Sequence, residues 1–110
     1  MLKRSYTAIV ERGLPLKGEF ATEPYEAGWA TEALWFVRRL DSASQPLKDV
    51  RVQISPDGIH WIDEGTKLGA FNAAGLAFAR TTHFGNWLRL AGRVAGPGEV
   101  SVLVALTLKE

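Results

Sequence analysis

The stretch VRVQISPDGIHW, residues 50–61, decides the fold. Val50, Val52 and Ile54 alternate with Arg51, Gln53 and Ser55, a period of two that sends successive side chains to opposite faces of a strand. The run breaks at Pro56, Asp57 and Gly58. Proline presets the first turn angle and glycine takes a left-handed backbone that a side chain would strain, so these residues predict a type I turn with a glycine bulge. Asp57 is suited to accept hydrogen bonds from its own turn, which is a structural role. Ile59, His60, Trp61 and Ile62 then read as the returning strand of a hairpin.

Working outward, the clearest strand is at the C-terminal end. Val100, Val102, Val104, Leu106 and Leu108 alternate with Ser101, Leu103, Ala105 and Thr107, and Leu103 and Ala105 leave the second face mildly apolar, as on a sheet covered on both sides. Before it, Leu88 and Leu90 oppose Arg89 and Arg93, and Gly96, Pro97 and Gly98 supply a turn. Residues 87–93 and the last strand are therefore expected to form an antiparallel hairpin. Residues 2–10 read as a first strand, followed by a break at Gly13, Leu14 and Pro15 and a short run near residues 18–22. Further breaks at Pro24, Gly28, residues 42–46, Gly65, Gly69, Gly75 and Gly85 suit many short strands, hence a sandwich or barrel.

Two stretches fit helix and strand alike. In residues 25–40, Trp29, Ala33, Phe36 and Leu40 fall at helical spacing after Pro24, while Leu34, Trp35, Phe36 and Val37 form the continuous run of a strand buried on both faces. The flanking elements are strands, so a strand is expected over residues 32–40. Residues 72–80 carry the same ambiguity, and a strand is expected over residues 76–82.

The 110 residues make one domain, residues 1–110, and 46% hydrophobic with 23% charged side chains is a globular balance, which argues against disorder. A net charge of +1 supplies no field to hold a nucleic acid or an acidic membrane. Cysteine is absent, so disulfides, thiolate nucleophiles and cysteine zinc centres are excluded. Ser5, Thr7, Glu11 and Arg12 interrupt any signal-peptide run, and no stretch is long and apolar enough for a bilayer-spanning helix. A soluble chain without an export signal is expected.

Little in the sequence carries chemistry. His60 and His83 are the only imidazoles, they lack metal-binding spacing, and there is no nucleophile elbow. Asp57, Asp63 and Glu64 are the carboxylates a calcium ion would need, but the EF-hand order is missing; Glu23 and Glu26 make a carboxylate pair with no sign of a shared cleft. The glycines of residues 92–98 lack the lysine and helix of a phosphate loop. No enzyme, metal or cofactor is expected. The basic pairs Lys3 with Arg4 and Arg38 with Arg39 read as solvated, so no nucleic-acid partner is expected. Of four tryptophans, Trp35 and Trp61 are expected in or near the core; Trp29 and Trp87 follow loop glycines and are candidate ligand-binding residues, a sugar being the ligand that exposed rings suit.

The S-P-D-G-I-H-W hairpin at residues 55–61 resembles that of discoidin-like, galactose-binding-type jelly-roll modules, and G-N-W-L-R-L at residues 85–90 is similar to their later aromatic strand. Together with F-A-T-E-P-Y at residues 20–25 and the closing valine-leucine strand, these motifs also resemble small jelly-roll structural proteins of bacterial viruses and prophages. The resemblance runs from Phe20 to the end. It implies an all-β, antiparallel β-sandwich of jelly-roll type. The discoidin cysteines are missing and the chain is shorter, so that family's sugar- and lipid-binding loops carry over to no residue.

One sandwich covers one face of each sheet, and strands apolar on both sides need a partner for the other. Leu34 and Phe36 point one way, and Ala33, Trp35 and Val37 the other. Leu34, Trp35, Phe36 and Leu103 are therefore the expected interface residues. The reading is a non-enzymatic structural or adhesion module: a homo-oligomeric accessory component, of decoration or fibre type, in a phage virion or similar assembly. Its expected place is the virion or the cytoplasm, and a carbohydrate-binding module is the alternative.

Overall fold

The computed structural model describes residues 3–41 and 45–110, except for the side chain of Leu14. Leu2, at the head of the expected first strand, and residues 42–44 of the expected break lie outside them. The elements are β1 (Ser5–Leu16), β2 (Glu19–Ala21), β3 (Tyr25–Glu26), β4 (Glu32–Arg39), β5 (Leu47–Ser55), β6 (Ile62–Lys67), β7 (Leu76–Thr82), β8 (Trp87–Val94) and β9 (Val100–Lys109). Among the described residues no helix is long and apolar enough to cross a membrane.

All pairing is antiparallel. β5 pairs with β6, β4 with β7, β2 and β3 with β8, and β1 with β9. The chain is thus one long hairpin, folded at the loop that holds Pro56, Asp57 and Gly58, with its arms paired back to the terminal strands. Rolling that hairpin sets β9 beside β4 and β8 beside β5. Two sheets result: sheet A in the order β1-β9-β4-β7, and sheet B in the order β2-β8-β5-β6 with β3 also on β8. This rolled hairpin is a jelly roll, the fold class that the sequence leads one to expect.

The inner faces carry the alternating apolar residues. Ala33, Trp35 and Val37 of β4 and the even-numbered residues of β9 from Val100 to Leu108 pack against Val50 and Val52 of β5 and Leu88 and Leu90 of β8. Burying each large side chain contributes about 1.5–3 kcal/mol. The helical spacing in residues 25–40 loses because a strand at Glu32–Arg39 buries Ala33, Trp35 and Val37 together and joins two neighbours, β7 and β9.

Several expectations are corrected. β8 and β9 do not pair: they lie in different sheets, and the turn with Gly96 (φ 80°) and Gly98 (φ 105°) carries the chain between layers. β1 continues through Gly13 and Pro15 to Leu16. As an edge strand it absorbs them with register shifts between Ile9 and Glu11 and between Arg12 and Leu14. The returning strand of the central hairpin begins only at Ile62, leaving Ile59 and His60 exposed in the loop. Trp61 lies outside the core, half-buried, with its ring 4.3 Å from the guanidinium carbon of Arg89.

Candidate functional site

Directly paired residues share a face, so the register lays out the outer face of sheet A. Ile9, Ala105, Phe36 and Phe78 form one row across its four strands. On one side runs the row Arg12, Leu103, Arg38, Leu76; on the other run Thr7, Thr107, Leu34, Arg80 and then Ser5, Lys109, Glu32, Thr82. Phe78 is 50% exposed, Ile9 42% and Leu76 38%, while Leu34, Phe36 and Leu103 are half-buried among them. The expected interface residues Leu34, Phe36 and Leu103 thus share one apolar face. Trp35 does not join them. It is corrected to the core, at 0% exposure, because period two turns it inward when its neighbours turn outward.

The outer face of sheet B is polar and concave, enclosing about 600 Å³. Its floor is a chain of side-chain hydrogen bonds running across three strands. Arg89 Nε donates to Gln53 Oε1 at 2.8 Å, Gln53 Nε2 donates to Asp63 Oδ1 at 2.9 Å, and Arg51 Nε donates to the same oxygen at 3.1 Å. Arg93 Nε donates to Asp49 Oδ2 at 2.8 Å. The amide of Gln53 and then the Arg51 guanidinium hold the Asp63 carboxyl below its usual range. Burial, followed by the charge of Arg51, pushes the Arg89 guanidinium down. Sequence reading missed this face: the alternation in β8 turns Arg89 away from the core, but its partner Gln53 lies on a different strand.

Trp29 and Trp87, the expected ligand-binding residues, have different surroundings. Arg4 caps the Trp29 ring at 4.3 Å, in a hollow of about 390 Å³ shared with Tyr6 and Tyr25. Trp87 lies against the central turn, where a Cβ on Gly58 would stand 3.2 Å from the indole. His60 Nδ1 lies 2.7 Å from Asp57 Oδ2 in the tip loop, and His83 follows β7 with φ at 55°. Among the described residues no group of three or more His, Asp or Glu gathers to hold a metal ion, so Asp57, Asp63 and Glu64 do not form one site.

Set against known proteins, the chain matches no family model, and a search of curated proteins finds no significant relative.

Proposed function

We propose that this chain is a non-catalytic structural or adhesion module that pairs with a second copy of itself through the outer face of sheet A, as an accessory component of a large assembly such as a virion. The observation that carries the reading is the outward-facing apolar row of Ile9, Ala105, Phe36 and Phe78, of which Ile9 and Phe78 are exposed, widened by Leu34, Leu76 and Leu103. The virion setting comes from the sequence resemblance.

The face carries four cations, Arg12, Arg38, Arg80 and Lys109, and one carboxylate, Glu32, which a second copy can pair with one of the cations. Glu32 and Arg38 stand at opposite ends of the β4 row, three residues on either side of Trp35, and neither has an ion-pair partner among the described residues. A two-fold axis lying between two stacked sheets, across the strands and level with Trp35, sets Glu32 over the partner's Arg38 and Leu34 over the partner's Phe36. The other cations, Arg12, Arg80 and Lys109, then meet the partner's Ser5, the partner's Phe78 and the partner's Leu103 rather than one another. The face spans roughly 500 Å² in projection, from about 4.8 Å between strands and about 3.3 Å per residue. Two such faces reach roughly the 1,000 Å² at the lower end of specific interfaces, so a micromolar dimer is the expected strength.

Charge exchange tests this arrangement. Glu32→Arg and Arg38→Glu should each weaken self-association about threefold to tenfold, the scale of exposed ion pairs counted twice by symmetry, and their combination should restore it. A double variant no stronger than the singles would contradict the two-fold register.

A second reading, carbohydrate binding, is favoured by the polar concavity on sheet B. A sugar site needs polar groups converging in a hollow, and this hollow lies on the face opposite the apolar row, so the two readings are compatible.

A further inference from the structure

The outer face of sheet B holds a cation that the fold itself leaves uncompensated. Arg89 is half-buried, bonded through Nε to Gln53 and stacked on Trp61. These contacts fix the plane of the guanidinium without neutralising it. Two of the three carboxylates in the hollow are engaged elsewhere, Asp63 by Arg51 and Gln53 and Asp49 by Arg93, and the third, Glu19, makes no ion pair with Arg89. Among the described residues, Nη1 and Nη2 of Arg89 have no partner. A planar fork, held on one edge and one face and open at its end, is suited to a carboxylate or sulfate approaching in its plane.

The surroundings narrow the class of anion. Lys67 and Arg51 offer donors on β6 and β5, and Asp63 and Glu19 offer acceptors in the same hollow. A phosphodiester group presents acceptors only and leaves those carboxylates without donors, whereas the hydroxyls of a sugar beside its anionic group both donate and accept. The volume, about 600 Å³, lies within the range of clefts that take drug-sized ligands.

We propose that this concavity binds an acidic oligosaccharide, with its anionic group on Arg89 and its hydroxyls shared between Asp63, Lys67 and Arg51. The proposal rests on the carbohydrate reading and gives it a site and a ligand class.

An NMR titration tests it, with a galacturonate trisaccharide, the corresponding sulfated and neutral galactose trisaccharides, and inorganic sulfate as probes. The Arg89 Nε–H and Trp61 indole resonances should shift with one or both acidic sugars, and the comparison between carboxylate and sulfate identifies the anionic group. The neutral sugar should bind at least about tenfold more weakly, the effect of one charge-assisted pair. Arg89→Lys, which keeps the charge but loses the fork and the stack, should weaken the acidic sugar by a similar factor. Lys67→Gln, at an exposed position outside the core, should weaken it severalfold, and it carries the test if Arg89→Lys does not fold. Equal binding of the neutral sugar would overturn the acidic assignment and keep the carbohydrate reading. Binding of none of the sugars would overturn both, and inorganic sulfate binding as tightly as the acidic sugars would overturn the saccharide assignment.

Discussion

Trp35 has no exposed surface, yet among the described residues its indole Nε1 has no hydrogen-bond partner, and neither has the buried hydroxyl of Thr81 on the neighbouring strand. A buried polar group left unpaired costs about 1–3 kcal/mol, so Thr81→Val, close in shape and without the hydroxyl, should raise stability by about 1 kcal/mol in urea unfolding. A loss there would mean that the hydroxyl is satisfied. Trp35→Ala should cost about 3–5 kcal/mol, as cavities left by large aromatics do. Asp57 behaves differently because its contribution is electrostatic. Its Oδ1 accepts the backbone N–H groups of Ile59 and His60, each at 2.8 Å, and the Ser55 hydroxyl at 2.9 Å. The His60 backbone bond, then the His60 side chain and the Ile59 backbone bond, hold its carboxyl far below the usual carboxylate range. A folded-state value below the unfolded one stabilises the fold above the unfolded pKa, and that stabilisation is lost as pH falls toward the folded value. Thermal midpoints measured from about pH 5 to pH 2 should therefore fall further for the parent than for Asp57→Asn; parallel curves would remove Asp57 as a source of acid sensitivity. The turn role of Asp57 was legible because its partners are within three residues in sequence. The setting of Arg89 was not, because it depends on Gln53 from the other arm of the hairpin and on Trp61, which is far from it in sequence.

At the scale of elements, period two located the strands well where both ends carried turn residues. β7 at Leu76–Thr82 and β4 at Glu32–Arg39 follow the expected spans, and the central turn stands at Gly58 with φ at 78°. Alternation was silent on which strands pair. A turn such as the one with Gly96 and Gly98 serves a hairpin or a crossing between layers equally well, so β8 and β9 looked like neighbours although each is central to a different sheet. The break at Gly13 and Pro15 misled for a related reason: an edge strand can bulge around such residues and continue. Gly92 shows how closely two elements approach. A Cβ there would lie 2.9 Å from Val50 Cγ2, 3.1 Å from Val50 Cα and 3.0 Å from the Phe20 ring, so the inner side of β8 has no room for it. Gly92→Ala should lower stability by about 1–3 kcal/mol through overpacking, read from the urea midpoint at unchanged slope. A neutral result would show that β2 and β5 shift to make space.

The whole molecule measures 46 × 29 × 21 Å. Its shortest dimension accommodates two sheets about 10 Å apart with their outer side chains and leaves no third layer. Both outer faces are therefore surfaces, and they differ: sheet A presents an apolar row edged by charges, sheet B a polar hollow floored by arginines. On the first, alternation in β4 set Leu34 and Phe36 opposite Ala33, Trp35 and Val37, as the register does. Sequence reading missed the second, whose groups become neighbours only when β8 pairs with β5 and β5 with β6. Sedimentation equilibrium of the unmodified protein, from about ten to several hundred micromolar, beside Phe36→Glu and Phe78→Glu, tests self-association most directly. The account predicts a concentration-dependent dimer in the parent and a monomer in both variants, with mainly strand in their circular dichroism. A strict monomer throughout that range, or a dimer that survives both substitutions in folded protein, would contradict it.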